Sequence, residues 1–117
     1  MIFAHSDLAL ARAEREQYVV LESLCFHAQQ AAEKSIKAVL VSKGIDFPRT
    51  HSIEALIDLL PPEMPRAPDL VAAASLSDYA ALFRYPGFDE VVTEEDYDEA
   101  VRLAECVVKW AEEILGL

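Results

Sequence analysis

The sequence predicts an all-α protein, an antiparallel up-and-down bundle of about five helices that self-associates as a homodimer. Apolar residues recur at three- and four-residue spacing, with no strand-like alternation. Ala, Leu, Glu and Lys dominate the composition. The scarce glycines, Gly44, Gly87 and Gly116, stand where helices should stop. With 117 residues, 53% of them hydrophobic, the chain fits one domain, 1–117, with a core that needs no covalent staples.

The spacing places helices at about 3–16, 19–43, 51–60, 68–84 and 94–115. The second helix carries a seam at Leu21, Cys25, Ala28, Ala32, Ser35 and Val39, small enough for close approach of a neighbour. Gln29, Glu33 and Lys37 are expected on its outer face, with Glu33 and Lys37 as an i,i+4 pair. The third helix takes Thr50 as N-cap, buries Ile53, Leu56, Ile57 and Leu60, and ends at Pro61-Pro62. A stiff proline-rich connector, 61–68, leads to the fourth helix, whose Ala73, Leu76, Ala80 and Phe83 point inward before Pro86-Gly87 stops it.

The last helix opens at Thr93 with Glu94, Glu95 and Asp96 in a capping-box arrangement. It carries two apolar stripes, Tyr97-Val101-Ala104-Val108-Ala111-Leu115 and Ala100-Leu103-Val107-Trp110-Ile114. Two stripes exceed what one neighbour covers, so this helix is either central or an interface between subunits. Leu103, Val107, Trp110 and Ile114 are the expected interface residues, and a homodimer the expected assembly.

Composition also bears on function. A net charge of -11 repels a phosphate backbone at long range and favours a partner with a basic face, although clustered Lys and Arg could still make a local site. No apolar run reaches the roughly 18 residues of a membrane span. The N-terminal residues show no leader, so a cytoplasmic protein is expected. Cys25 and Cys106 form neither a metal motif nor a disulfide framework. His5, His27 and His51 lie on different helices without paired ligand spacing, and no cofactor loop or nucleophile motif occurs.

Two segments could carry chemistry. Pro48-Arg49-Thr50-His51-Ser52 sits at a helix start, where free amides with Arg49 and His51 could hold a phosphate. The plainer reading makes Thr50 a cap, His51 a shield for the first turn and Arg49 a solvated side chain. In Tyr79–Gly87, Arg84 either bonds the last carbonyls of its helix or offers a guanidinium to a phosphate or carboxylate, with Tyr85 stacking or donating its hydroxyl.

The run Cys25-Phe26-His27-Ala28-Gln29-Gln30-Ala31-Ala32-Glu33-Lys34-Ser35-Ile36-Lys37-Ala38-Val39-Leu40 resembles the signature second helix of HEPN domains. Thr50-His51-Ser52-Ile53 with Leu56, Arg84-Tyr85-Pro86 and Tyr97-x-x-Ala100 follow in the family's order, so the resemblance spans residues 5 to 115. It implies a helical bundle that commonly dimerises, often beside a minimal nucleotidyltransferase partner in a toxin–antitoxin pair. Active HEPN ribonucleases cleave RNA without metal, using an Arg and a His separated by four to six arbitrary residues and contributed at the dimer interface. This sequence departs from that pattern. Beyond Arg84 the corresponding positions hold Asp89, Glu90 and Val91, and a carboxylate cannot supply an imidazolium near neutral pH. His51 could substitute if it meets Arg84. Three readings follow: an interaction subunit, a ribonuclease toxin using Arg84, His51 and Tyr85, or a nucleotide-binding module at Arg49, Thr50 and His51.

Overall fold

The computed structural model describes residues 1–13, 19–82 and 92–117, all helix, turn or loop. The helices are α1 (Ile2–Ala11), α2 (Leu21–Ser42), α3 (Ile53–Asp58), α4 (Pro68–Ala72), α5 (Ser77–Leu82) and α6 (Glu94–Leu115), with a 3-10 segment (Ala73–Leu76) joining α4 to α5.

Side-chain pairs fix the directions. Asp7 of α1 meets His27 and Lys34 of α2, and Lys34 also lies over Phe3, so α1 runs antiparallel to α2. His5 meets Glu112 and Arg12 meets Glu105, which makes α1 antiparallel to α6 as well. Asp69 reaches Arg102 and Cys106 while Tyr79, further along, lies near Asp96, so α4–α5 runs antiparallel to α6. The expected up-and-down bundle results, with short α3 set against α2.

α2 is the axis. Leu24, Cys25, Ala28, Ala31, Ala32, Ile36, Val39 and Leu40 are buried, covering about half of its circumference. Its C-terminus closes in a Schellman turn: Gly44 takes φ +68°, Ile45 N–H returns to Leu40 O (2.9 Å) and Gly44 N–H to Val41 O (3.0 Å). Gly116 ends α6 in the same left-handed region, at φ 74°.

Expectations about three of the helices need correction. The first helix stops at Ala11, before residue 16, where Tyr97 Oη donates to the terminal Ala11 carbonyl (2.6 Å). The third helix begins at Ile53, and its cap is Ser52, whose Oγ accepts from Ala55 N–H, rather than Thr50. The fourth helix is broken by the 3-10 segment, where Ser75 Oγ bonds Ala72 O and competes with regular helical pairing. Buried Ala73 and Leu76 hold that segment against the core. Phe83, Pro86 and Gly87 lie outside the described residues.

The proline-rich connector is closed by Arg66. Its guanidinium donates to the carbonyls of Ile57, Leu60, Pro61 and Met64, which satisfies the orphan carbonyls at the end of α3. The capping box of α6 forms as expected, with Thr93 and Asp96 bonding each other's amides at 3.1 and 3.0 Å. Among the described residues no helix is long and apolar enough to cross a membrane.

Candidate functional site

Two carboxylates anchored beneath the surface organise the polar chemistry of α2. Glu33 was expected on the outer face with Gln29; instead they are 3% and 0% exposed. The reason is that α3 and its preceding loop pack over this side of α2, which helical periodicity alone does not reveal. Glu33 Oε1 accepts from Gln29 Nε2 (2.9 Å) and meets His51 Nδ1 (2.9 Å), while Oε2 accepts from Lys37 Nζ (3.1 Å). The expected Glu33–Lys37 pair is therefore present, inside a larger network. Gln29 also reaches His51 O (3.3 Å) and receives Gln30 Nε2 on its own oxygen (2.6 Å).

Burial raises the proton affinity of Glu33, but the hydrogen bonds from Gln29, His51 and Lys37 outweigh it and hold the carboxyl below its ordinary range. An ionised carboxylate only accepts, so His51 Nδ1 donates to it and Nε2 is left as the acceptor of the neutral ring. Half of the His51 side chain remains exposed.

The second carboxylate, Asp7, is contributed by α1. Its Oδ1 meets His27 Nδ1 at 3.0 Å and its Oδ2 takes Lys34 Nζ. The two nodes share one plan, a largely buried acid below one His and one Lys of the surface. His27, Lys34 and Lys37 share a half-buried outer strip of α2 with Phe26 and Gln30, which ends at exposed Val41. Reasoning from sequence missed Asp7, and missed that the two acids lie under the strip. The pattern of α2 carried no local signal of this, because Gln29 and Glu33 are enclosed by α3 and the loop before it.

The other expected site residues fare differently. Thr50 Oγ1 accepts from Ser52 N–H (3.0 Å), and Ile53 N–H donates to Ser77 Oγ (2.8 Å). With Ala55 N–H on Ser52, the amides needed to cradle a phosphate at Thr50 are engaged elsewhere, and α3 has only six residues. Arg49 is exposed on the preceding loop. His51 is drawn to Glu33 rather than to the helix start. Arg84 and Tyr85 lie outside the described residues.

Of the expected interface residues, Leu103 and Val107 are 2% and 1% exposed and belong to the chain's own core. Trp110 and Ile114 are half-buried against it. α6 lies between α1, α2 and α4, and both of its apolar stripes are used within one chain. The inference from a double stripe to an interface at Leu103 and Val107 is thereby corrected. Beside Trp110 a shallow groove of about 280 Å³ opens between α4 and α6, lined in part by Leu70, Cys106 and Lys109.

The HEPN domain profile matches residues 3–114. The crystal structure of an archaeal HEPN homologue aligns with a TM-score of 0.70 at 30% sequence identity, covering 97% of this chain and 93% of that one. No curated protein matches the chain.

Proposed function

This chain belongs to the HEPN domain family, and on that premise we propose that it is the interaction subunit of a nucleotidyltransferase–HEPN toxin–antitoxin pair, working as a homodimer. The observation that carries this reading is the outward side of α1. The inner side, Ala4, Leu8 and Ala11, is buried, yet Ile2, Phe3, Ala9 and Leu10 also face solvent, with Ile2 at 83% and Phe3 at 74% exposure. A helix apolar on every side is normally enclosed on every side. An uncovered patch of this kind marks an interaction surface. In a twofold pairing of α1 with its copy, small Ser6 and Ala9 allow close approach, while Ile2 and Leu10 pack at the ends. Trp110 and Ile114, on another side of the bundle, remain available for a second contact, and the net charge of -11 favours a partner with a basic face.

Light scattering should give twice the 13.0 kDa chain mass. The double variant Ile2→Glu, Leu10→Glu should then be monomeric with its helix content intact. A wild-type monomer at high-micromolar concentration defeats the dimer. Co-expression with the neighbouring reading frame should copurify a small nucleotidyltransferase.

One observation favours a second reading, a metal-independent ribonuclease using Arg84 with His51. Glu33 fixes the His51 ring and leaves its Nε2 able to take a proton, as a general base requires. Induced expression should then arrest growth, and Arg84→Ala should relieve the arrest. Harmless expression with intact cellular RNA rejects it.

A further inference from the structure

We propose that the groove between α4 and α6 is the docking site for an arginine side chain of a protein partner, its guanidinium lying between Trp110 and Glu113. The proposal rests on the pairing described above and names the chemistry of its second contact. At about 280 Å³ and open to solvent, the groove is smaller than ordinary small-molecule sites but takes one long side chain. Its banks follow from the sequence. Cys106, Trp110 and Glu113 succeed one another at four- and three-residue spacing, so they line one side of α6. Asp69 and Leu70 form the opposite bank on α4.

The lining selects the occupant. The floor is already closed, since Leu70 and Val107 are 2% and 1% exposed, and it offers little aliphatic surface to an apolar plug. What remains open is the half-buried indole of Trp110, with a carboxylate towards each end of the groove. Asp69 is held by Arg102 and the Cys106 thiol, whereas Glu113 is exposed and has no ion pair among the described residues. An apolar side chain seated here would strip water from both acids and return no hydrogen bond. A guanidinium is weakly hydrated, stacks on aromatic rings and donates in a planar fork to a carboxylate. A lysine ammonium lacks the fork and loses more hydration. The surroundings agree in sign: from Glu99 to Glu113, α6 carries four carboxylates against Arg102 and Lys109. Lys109, on the lip of the groove, opposes the incoming cation and gives the test a variant of opposite sign. Trp and Arg are also the residue types that most often anchor protein interfaces.

The test is an NMR titration of isotope-labelled protein with a short capped peptide holding one arginine among alanines. Trp110 is the only tryptophan, so its indole N–H gives a single signal. That signal and the Leu70 and Glu113 amides should move saturably. The same peptide with citrulline, the uncharged analogue of arginine, should bind about tenfold more weakly. Glu113→Gln should cost about threefold, and Lys109→Gln should tighten binding about twofold. Trp110→Leu keeps an apolar contact with the core and, read from the Glu113 amide, should cost about threefold. Glu54→Gln, on α3, should change nothing. Unmoved Trp110 and Glu113 signals, an equal response to the citrulline peptide, unaltered affinity in Glu113→Gln or weaker binding in Lys109→Gln overturns the proposal. In the co-expression experiment, Glu113→Lys should lose the nucleotidyltransferase while keeping the homodimer mass. Retention of the partner by Glu113→Lys overturns the groove and leaves the pairing standing. Failure of wild type to copurify it defeats the pairing instead, and the peptide titration then decides the groove by itself.

Discussion

Replacing Glu33 by alanine removes the carboxylate on which Gln29, Lys37 and His51 converge. The magnitude follows from what each donor loses. Gln29 is fully buried and its Nε2 keeps only the 3.3 Å contact to His51 O, so this weakened donor costs about 1–3 kcal/mol. Lys37 and His51 are partly exposed, and water replaces their contacts at about 0.5 kcal/mol each. The sum is about 2–4 kcal/mol, which for a domain of this size lowers Tm by about 10–15 °C. Thermal unfolding followed by circular dichroism at neutral pH reads the shift directly. Glu33→Gln preserves shape and one acceptor oxygen, and should lose about half as much. The pH dependence has a definite sign. The folded carboxyl titrates below its unfolded value of 4.5, so its stabilisation is complete above that value and disappears as pH falls through the folded one. Wild type and Glu33→Gln should therefore converge in Tm as the pH falls through the folded value, below the ordinary carboxylate range. A Glu33→Ala Tm within about 2 °C of wild type, or a gap between wild type and Glu33→Gln that widens in acid, refutes the account of this network.

Leu103→Ala should cost about 2–4 kcal/mol through cavity formation, with a Tm loss that does not vary with protein concentration; strong concentration dependence would place Leu103 at an interface instead. Arg66→Ala leaves the carbonyls of Ile57, Leu60, Pro61 and Met64 without their shared donor and should destabilise by about 2 kcal/mol in denaturant titration, with little recovery in Arg66→Lys. Thr93→Ala opens the capping box of α6 and should cost about 1 kcal/mol, most of it recovered by Thr93→Ser.

Much of the fold was legible because local chemistry writes it. The seam from Cys25 to Val39 is buried as its spacing requires, and Thr93 with Asp96 closes α6 as expected. The ends were harder. Thr50 and Ser52 are equally good caps in isolation, and Ser52 won because Ser77 of α5 takes the Ile53 amide. The continuous pattern over residues 68–82 did not disclose its 3-10 interruption, since Ala73 and Leu76 satisfy either helix type.

The sequence by itself determined the helical class, the up-and-down order, the HEPN kinship and the absence of an imidazole at positions 89 to 91 beyond Arg84. Those properties rest on residue type and near-neighbour spacing along one chain. The tertiary structure alone decided that Gln29 and Glu33 lie inside, that Asp7 joins His27 and Lys34, and that Leu103 and Val107 are spent on the core. Helical periodicity fixes which residues share a side but not what covers it. Burial and charge pairing are relations between segments distant in sequence, so they exist only once α1 and the α2–α3 loop close over α2.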